Sequence, residues 1–472
     1  MDIRLSALTE LDKYPAKQHA QRVTTALGAS EGLIYLRGAP TEFYDDSDMS
    51  PAFRQRRYFY YLSGCDEPNC HVTYDIARQQ LTLWLAPFTP YEVMRRGRGS
   101  TVEEASLKYD IDTAVYSDDL VEYLKSWSSK HATMPIHVLH NSTTHFPPSE
   151  FNYDHFNSDK LLDAMDACRI IKDSHEIKLI KRANAISAEA HTNVLRAIRH
   201  FTNEAQAAAT IYSSCIAGGA PVQAYTPIVA SGPNGAVLHY GENNQPFADR
   251  LSMVLDAGAE YQLYSSDVTR SFPLSGHWTT EGQAIYDLVA DMQSSAMAYL
   301  GPGEHMARAD ALCHVKCVQG LIGLGILKGD SEREVFESGI SSAFFTHGLG
   351  HYVGLEVHDV PARRPSSASN PSSSLLIQAR DCSPCASSSP ALEPGMVVTV
   401  EPGIYFNRYL LETFYRPQKR YSKFIDWEIL EKYYPIGGIR IEDDILVTET
   451  GWENLTTTPK GEDALRIIRG EC

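Results

Sequence analysis

Short apolar runs and helical patterns alternate in the N-terminal third of the chain. The β-prone runs are GLIYL at 32–36, YFYYLSG at 58–64 and LTLWLAP at 81–87. The segments around Tyr14–Leu27 and Thr101–Tyr109 have the pattern of helices. Strands that alternate with helices predict an α/β unit around a largely buried sheet.

The next part of the chain, from about Ala164 to His200, predicts one or two long helices. Its apolar positions recur at helical spacing: Ile177, Leu179, Ile180, Ala183 and Ile186. The basic residues between them are expected to form a solvated face: Lys172, Lys178, Lys181 and Arg182. We take this segment as the start of a second domain, which gives an N-terminal domain over 1–163 and a catalytic domain over 164–472.

The segment from about 361 to 390 reads PARRPSSASNPSSSLLIQARDCSPCASSSP. A Ser/Pro-rich composition of this kind buries too little apolar surface to offset the entropy of ordering. The sequence therefore predicts a surface insertion here, within the second domain and near its candidate site.

Composition restricts the class of protein. With 472 residues, 43% of them hydrophobic, the chain can form two cores. Its net charge of −17 argues against nucleic acids and anionic membranes as partners. The first residues lack the apolar stretch of a secretory signal, no run has the length of a membrane span, and the nine cysteines are irregularly spaced. We expect a soluble cytoplasmic protein with reduced thiols.

Candidate chemistry begins in LSMVLDAGAEYQLYSSDVTRSFPLSG, where two β-rich runs flank a polar stretch and predict a hairpin. A turn between Tyr261 and Gln262 would place Asp256 opposite Asp267, about 4.5–5.5 Å apart at Cβ. Facing carboxylates repel each other unless they bind a cation. The alternative is that Asp256 stabilises the DAG turn and Asp267 is a surface charge.

Three histidines, His347, His351 and His358, occur in FFTHGLGHYVGLEVHDVP. The glycines between them make a long helix unfavourable and allow close approach of the backbone. Because no Glu follows His347, this is not the helical zinc-protease motif. The histidines are candidates for ligands or catalysis, and the alternative is a set of structural core or surface side chains.

Two further acids lie in β-prone surroundings. Glu401 follows VVTV, and Glu442 lies between Ile441 and a second β run. A charged residue on such a strand is rarely buried unless it is paired or binds a metal. Arg440 shares a strand face with Glu442 and could support it. The alternative for each acid is a charge at the end of a strand that points to water.

Taken together, these residues predict a dinuclear metal hydrolase. Four carboxylates and one imidazole can share a buried site only if cations neutralise them. Two divalent metals would do so and leave room for a bridging water. The set is Asp256, Asp267, His351, Glu401 and Glu442. His239, after a Gly/Pro/Asn turn in YTPIVASGPNGAVLHYGENN, gains significance only if such a site exists.

The sequence resembles the creatinase/prolidase/aminopeptidase P family of metallopeptidases. The matching motifs are LDAGAEYQLYSSDVTRSFP, HGLGHYVGLEVHD, LEPGMVVTVEPGIYF and GGIRIEDDILV, in the family's order, and upstream FRQRRYFYYLSGC and RIIKDSHEIKLIKRA. The resemblance implies an α+β protein, in which a C-terminal pita-bread catalytic domain follows a creatinase-like α/β N-terminal domain.

The resemblance also implies roles for individual residues. The five residues named above match the family's ligands for two metal ions, with Asp267 and Glu442 bridging both, and Mn²⁺ is the usual metal. Glu401 would move a proton, and His239 and His358 would donate hydrogen bonds to the oxyanion. His347 and Arg440 match residues that bind substrate or support the ligands.

The expected activity is release of the N-terminal residue from peptides with proline in the second position. Prolidase-like members carry an arginine for the substrate carboxylate just before the LEPGM motif. Here the insertion replaces that stretch: Ile377 takes the aligned position, and Arg363, Arg364 and Arg380 lie out of register. This favours an Xaa-Pro aminopeptidase over an Xaa-Pro dipeptidase. An inactive binding module on the same scaffold is a third alternative. By analogy with the family we expect a homodimer.

Overall fold

The structure, a computed structural model, describes residues 13–140, 155–360, 385 and 389–471. The chain separates into two compact units, one ending at Arg169 and the other beginning at Ile170. The predicted insertion at 361–390 lies largely outside the described residues, together with Arg363, Arg364, Ile377 and Arg380. No helix of the described part combines the length and the apolar character needed to cross a membrane.

The N-terminal unit is built on a six-stranded sheet in the order β4-β3-β2-β1-β5-β6. The helices are α1 (Ala16–Leu27), α2 (Arg57–Ser63), α3 (Pro90–Arg96), α4 (Val102–Lys108), α5 (Leu120–Lys130) and α6 (Leu161–Ile170). The strands are β1 (Leu33–Arg37), β2 (His71–Asp75), β3 (Gln80–Leu85), β4 (Thr113–Tyr116), β5 (Ile136–His137) and β6 (Phe156–Asn157). The predicted α/β unit is thus confirmed.

One predicted strand of this unit is wrong. Residues 58–64 form most of α2 and the residue that ends it, rather than a strand. Gly64 takes the left-handed conformation at φ 63° and donates its N–H to the carbonyl of Tyr60, which closes the helix. The run is rich in aromatic residues, and the preference of these residues for strands depends on tertiary context. A short apolar run cannot distinguish a buried strand from a buried helix by itself.

Two helices occupy the predicted helical segment around residues 164–200. The predicted division at 163/164 falls inside α6, whose residues up to Arg169 belong to the first unit. The second helix is α7 (Ser174–Ala197). The residue before it, Asp173, is its N-cap, and the Asp173 side chain accepts hydrogen bonds from the N–H groups of His175 and Glu176. The side chain of Glu176 in turn accepts the N–H of Asp173, which completes a capping box.

Lys172 is not part of a solvated face. Its side chain is fully buried, and Nζ lies 3.1 Å from Oδ2 of Asp359, which is buried as well. The backbone of Lys172 also donates to the carbonyl of Gly395 at 2.8 Å. A buried lysine requires a partner of opposite charge, and this pair fixes the residue that follows His358.

The C-terminal unit combines several small sheets with long helices. Its main helices after α7 are α8 (Glu204–Ala217), α9 (Thr280–Tyr299), α10 (Met306–Gly323) and α11 (Glu332–Glu337), followed by the short α12 (Arg408–Leu410), α13 (Lys419–Ser422) and α14 (Trp427–Leu430), and by α15 (Glu462–Arg469). The strands are β7 (Val222–Gln223), β8 (Ile228–Ser231), β9 (Ser252–Asp256), β10 (Ala259–Tyr261), β11 (Tyr264–Ser265), β12 (Thr269–Pro273), β13 (Val397–Val400), β14 (Gly403–Tyr405), β15 (Gly438–Arg440), β16 (Asp443–Thr448) and β17 (Gly451–Asn454).

Three sheets have three strands each, in the orders β11-β10-β7, β12-β9-β8 and β13-β16-β17, and β14 pairs with β15. A large buried apolar cluster joins α9 and α10 to residues of β13 through β16. Strands β8, β9 and β12 are buried at every position, including the polar residues Thr269, Arg270 and Ser271 of β12. The polar side chains at the ends of these buried strands therefore lie in the interior of the unit.

The register of the predicted hairpin differs by two residues from the expectation. Asp256 pairs with Thr269 in β12, not with Asp267. The turn is centred on Gln262 and Leu263, which both have positive φ, 47° and 65°. Moving the turn centre by one residue shifts the pairing by two. Because side chains alternate along a strand, Asp267 and Thr269 still share a face.

Candidate metal centre

Asp256 is the last residue of β9. Asp267 lies two residues before the start of β12, the strand that pairs with β9. Both carboxylates contact the hydroxyl of Tyr225, whose single proton is shared between Oδ1 of Asp267, 2.5 Å away, and Oδ1 of Asp256. Burial and the two carboxylates raise the pKa of Tyr225 well above its ordinary value, so the phenol keeps its proton. Burial and the charge of Asp256 likewise raise the pKa of Asp267.

His351 lies opposite these acids, on a loop that pairs with β13. Its Nε2 atom is 3.3 Å from Oδ2 of Asp267 and 3.4 Å from Oε1 of Glu401. Its Nδ1 atom lies 3.1 Å from the carbonyl of Tyr352, so Nδ1 carries the hydrogen and Nε2 faces the carboxylates. Burial lowers the pKa of His351, but the hydrogen bond with Asp267 and the charge of Glu401 outweigh it and raise the pKa to about 9.

Glu401 follows directly on β13, as the sequence predicted. Its N–H donates to the carbonyl of Leu349 at 2.8 Å, and Thr399 accepts the N–H of His351 at Oγ1, 2.9 Å away. The strand therefore fixes the positions of Glu401 and His351 together. Burial raises the pKa of Glu401 to about 7, and the charge of Asp267 acts in the same direction.

Glu442 lies between β15 and β16 and is 1% exposed. Oε2 accepts the hydroxyl of Thr269 at 2.6 Å, whereas Oε1 is buried and has no hydrogen-bond partner among the described residues. Burial and the charges of Asp267 and Glu401 raise the pKa of Glu442 well above its ordinary value. A buried carboxylate oxygen without a partner is costly unless it binds a ligand.

Three overlapping groups of possible ligand atoms result from this arrangement, one of which joins Asp267 and His351 to His358. The other two contain only the five predicted ligands. Asp256, Asp267 and Glu442 form one group, and His351, Glu401 and Glu442 form the other; within each group the ligand atoms lie within 4.8 Å of one another. Glu442 is common to both. Three buried carboxylates and the partly buried Glu401, next to one imidazole, fit divalent cations, which would neutralise the acids and bind the free Oε1 atom of Glu442. The structure thus brings together all five predicted ligands.

Arg440 lies beside this group and is 4% exposed. It donates to Oδ2 of Asp256 at 2.6 Å, to the hydroxyl of Tyr405 at 2.9 Å and to Oγ1 of Thr269 at 3.0 Å. Three acceptors for one guanidinium fix the side chain completely. The sequence analysis predicted that Arg440 supports Glu442. In the structure, the carboxylate to which Arg440 donates is that of Asp256.

His347 is tied to the same network through Tyr405. Its Nε2 atom lies 2.8 Å from the hydroxyl of Tyr405, and Nδ1 lies 2.8 Å from the carbonyl of Gly348. Burial, reinforced by the charge of Arg440, lowers the pKa of His347 to about 3, so the ring is neutral. Nδ1 donates to Gly348 and Nε2 accepts from Tyr405. Both nitrogens are engaged within the protein.

His239 and His358 are both exposed and lie close together, with ring centroids 6.5 Å apart. The ring of His358 also packs edge-on against His351 at 4.3 Å. Although part of the His358 side chain is exposed, desolvation of the ring side that packs on the site and the charge of His351 lower the pKa of His358 to about 4, so this ring is neutral at pH 7 and carries one N–H. The two histidines form an accessible edge of the acidic cluster.

Sequence analysis missed several residues that support the site. Their common feature is a hydroxyl or carboxyl group that holds a predicted ligand: Tyr225, Thr269, Thr399, Tyr405 and Asp444. Asp444 is the least expected, because its Oδ2 accepts the N–H of Asp267 at 3.1 Å and the amide of Asn184 at 2.7 Å. Only Thr269 had a signal, since it shares the face of Asp267 two residues away.

Comparisons with known proteins agree with this geometry. Residues 178–449 match Metallopeptidase family M24, and residues 16–137 match the Aminopeptidase P, N-terminal domain. A probable Xaa-Pro aminopeptidase of Pyrenophora tritici-repentis is 48% identical over 99% of this chain and 73% of its own length. One from Aspergillus clavatus is 48% identical over 99% of this chain and 96% of its own.

Solved structures show the same fold. The aminopeptidase PepP of Pseudomonas aeruginosa superposes with a TM-score of 0.76 at 26% identity, over 97% of this chain and 99% of that one. The zinc-substituted E. coli aminopeptidase P in complex with product gives a TM-score of 0.74 at 26% identity, over 98% and 100%. The predicted pita-bread domain and its creatinase-like N-terminal domain are confirmed, and the dipeptidase alternative is not favoured.

The family depends on divalent metal ions and acts on peptides, which agrees with the donor set. The alternative of an inactive binding module fails, because the relatives are enzymes and this chain keeps a complete set of acids. The chain therefore belongs to metallopeptidase family M24, among the metal-dependent Xaa-Pro aminopeptidases.

Proposed function

We propose that this chain releases the N-terminal residue from cytoplasmic peptides with proline in the second position, with two manganese ions held by Asp256, Asp267, His351, Glu401 and Glu442. The observation that supports this proposal most directly is the pair of ligand groups that share Glu442. The similarity to probable Xaa-Pro aminopeptidases supports the proline specificity.

Manganese is proposed because of the donor atoms. The two groups offer carboxylate oxygens and a single imidazole nitrogen. Hard oxygen donors suit Mn²⁺, whereas sites rich in thiolate or imidazole favour other metals. When bound, the two cations polarise the scissile carbonyl and activate a water molecule at neutral pH.

Glu401 is the proposed proton carrier. Its carboxylate lies 3.4 Å from the Nε2 atom of His351 and is partly exposed. A carboxylate at this position can accept the proton of the attacking water and deliver it to the leaving nitrogen of proline. Its backbone is fixed by the hydrogen bond to Leu349, so the carboxylate has little freedom to move away.

His239 and His358 are proposed to bind the carbonyl oxygen on which negative charge develops. Their rings are both exposed and lie 6.5 Å apart, and a neutral His358 retains one N–H for donation. His347, Tyr405 and Arg440 are proposed to hold Asp256 in position through the chain of hydrogen bonds described above.

A substrate comparison tests the proposed reaction. The protein is stripped with a chelator, reloaded with Mn²⁺, and offered Gly-Pro, an Xaa-Pro-Xaa tripeptide and the matching Xaa-Ala-Xaa tripeptide. We expect release of the first residue from the Xaa-Pro-Xaa peptide only. Turnover of Gly-Pro alone would identify a dipeptidase, and equal turnover of the two tripeptides would contradict the proline specificity.

Metal content tests the proposed ligands. We expect about two manganese ions per chain. Asp267→Asn removes a charge from one ligand group and should lower both the metal content and the hydrolysis rate. An unchanged metal content together with unchanged hydrolysis in this variant would contradict the proposed site. Light scattering of the loaded protein tests the proposed homodimer, and cell fractionation tests the cytoplasmic location.

A further inference from the structure

Glu204 is a buried carboxylate outside the candidate metal centre. It is the first residue of α8, and its exposed fraction is 0%. The nearest cation is Arg250, whose Nη1 atom lies 3.7 Å from Oε1. A buried acid in this setting requires several hydrogen-bond donors.

Five donors meet this carboxylate. Oε1 accepts the N–H of Ser231 at 2.9 Å, the hydroxyl of Ser231 at 2.6 Å and the amide of Asn234 at 3.0 Å. Oε2 accepts the hydroxyl of Tyr240 at 2.9 Å and the N–H of Gln245 at 3.0 Å. Burial raises the pKa of Glu204, but these donors outweigh it and lower the pKa, so the group is ionised.

The donors share one feature, which is that they lie on both sides of His239 in the sequence. Ser231 ends β8, Asn234 lies in the turn that follows, and Gln245 lies beyond the histidine. Most of this segment after Ala236 lacks helix or strand, so side chains must supply its order. Tyr240, the neighbour of His239, is buried and points to Glu204, whereas His239 is exposed.

We propose that Glu204 is a positioning residue for His239: by accepting hydrogen bonds from both ends of the 231–245 loop and from Tyr240, it fixes the direction in which His239 faces His358. The 6.5 Å separation of the two rings then depends on a carboxylate that touches neither of them. The catalytic consequence rests on the proposed function.

A purely structural role for Glu204 has to be distinguished. An acid in the first turn of a helix is favourable in any case, because it interacts with the helix dipole. Glu176 provides a matched control. It too is a buried carboxylate in the first turn of a helix, and it accepts a tyrosine hydroxyl, that of Tyr264, at 2.9 Å.

Hydrogen exchange of the metal-free protein is the first test. In Glu204→Gln, one oxygen becomes an NH₂ group that cannot accept, so at least one donor loses its partner. We expect the amides of residues 231–245 to exchange about tenfold faster or more, as for the loss of one bond to a charged group. In Glu176→Gln this loop should exchange at the unsubstituted rate. Unchanged exchange in Glu204→Gln would overturn the proposal.

A double-mutant cycle is the second test and uses the manganese-loaded full chain. Glu204→Gln should lower kcat on the Xaa-Pro-Xaa peptide about tenfold, with the metal content unchanged. In the His239→Ala background, the same substitution should change kcat by less than about twofold, because its route of action is gone. Equal losses in both backgrounds would show a general structural role and contradict positioning.

The two tests separate this inference from the proposed function. If the unsubstituted protein fails to cleave the peptide, the proposed function fails, while the exchange data still decide whether Glu204 orders the loop. If Glu204→Gln does not fold, Asn234→Ala and Tyr240→Phe each remove one donor and keep the carboxylate. They should show the same pattern with smaller changes, and unchanged exchange of the loop in both would overturn the inference.

Discussion

The guanidinium of Arg440 lies 2.6 Å from Oδ2 of Asp256, a carboxylate of the acidic cluster. In the metal-free protein it neutralises part of the charge of the four carboxylates. Bound cations would share this task. The dependence of stability on Arg440 should therefore differ between the two forms of the protein.

Arg440→Met should destabilise the metal-free protein by about 3–5 kcal/mol, because Asp256 would remain as an uncompensated buried charge. In the manganese-loaded protein the loss should be clearly smaller. Urea unfolding of both forms measures the difference in the free energy of unfolding.

Lys172→Met provides the control for this prediction. It removes the cation of a buried pair with Asp359, and neither residue belongs to the ligand groups. Its cost should be the same with and without metal. Equal losses for Arg440→Met in the two forms would contradict the idea that cations and Arg440 act on the same charge.

The stability of the metal-free protein should fall as the pH rises from about 6.5 to 8.5. Burial raises the pKa of Glu401 to about 7 and that of Asp444 to about 8, and the charge of Asp267 acts in the same direction on both. The unfolded chain has released these protons by about pH 5. A raised folded pKa stabilises at low pH, and this contribution is lost as the pH rises through the folded value.

The histidines define the window of this prediction. His351 acts in the same direction up to about pH 9, its folded pKa, since its bond with Asp267 outweighs burial. Desolvation lowers the pKa of His347 to about 3 and that of His358 to about 4. These two rings therefore reduce the stability of the folded protein only as the pH falls below about 6.5, where the unfolded chain binds their protons and the folded chain does not. Above that value these two rings are neutral in both states.

Urea unfolding at pH 6.5, 7.5 and 8.5 after chelation measures the effect, with an expected slope on the order of 1 kcal/mol per pH unit for each proton. Bound manganese would hold the acids as carboxylates, so the loaded protein should lose this slope. A metal-free protein whose stability is constant or rises over this range would contradict the assignment of raised pKa values.

The local environment of each acid could be predicted from the sequence. Glu401 and Glu442 interrupt strongly β-prone runs, and a charge in such a position is rarely left unpaired in the interior. The strands VVTV and its partner are present as β13 and β16. The family motifs then placed the five ligands in one site, which composition and periodicity could not do.

The register of the hairpin could not be predicted. It depends on Gln262 and Leu263, two residues without glycine's freedom, that adopt positive φ at the turn. Only the packing around β10 and β11 selects this conformation. The helix over residues 57–63 was missed for a related reason, because tertiary contacts decide whether an aromatic run is strand or helix.

Hydrogen-bond partners distant in sequence were equally hidden. Tyr225 lies more than thirty positions before Asp267. Glu204 lies in α8, far in sequence from partners such as Tyr240, and the sequence of this helix carries no signal for catalysis. A tyrosine or glutamate of this kind is indistinguishable from an ordinary core or surface residue until the chain is folded. Such partners depend on tertiary structure alone.

Tyr225→Phe should weaken metal binding or activity by about 10–100-fold, the usual cost of removing a side chain that orients metal ligands. The hydroxyl contacts Asp256 and Asp267 at once, so its loss frees two carboxylates to move. Titration with Mn²⁺ by calorimetry and the tripeptide assay measure the two effects.

Tyr264→Phe is the control for Tyr225. It removes a buried tyrosine hydroxyl that donates to Glu176, which is not one of the five proposed ligands. Both variants should lose similar stability, but only Tyr225→Phe should change the affinity for manganese. If the two variants bind the metal with the same affinity, Tyr225 has no role in orienting the ligands.

Gly350→Ala should abolish the site, because Gly350 has no room for a side chain. A Cβ atom there would lie 2.0 Å from the carbonyl oxygen of Thr399 and 2.7 Å from its hydroxyl. Thr399 also accepts the N–H of His351, so relief of the clash must move the loop away from β13. His351 and Glu401 would then separate. We expect loss of manganese binding and a destabilisation of about 2 kcal/mol or more.

Gly451→Ala tests whether the effect of Gly350→Ala is specific. A Cβ atom at Gly451 meets nothing within 4 Å, and its backbone does not have positive φ. This variant should keep its manganese content, its activity and a melting temperature close to that of the unsubstituted protein. A Gly350→Ala protein with full metal content and normal turnover would contradict this prediction. It would mean that the loop can move away from Thr399 without separating His351 from Glu401.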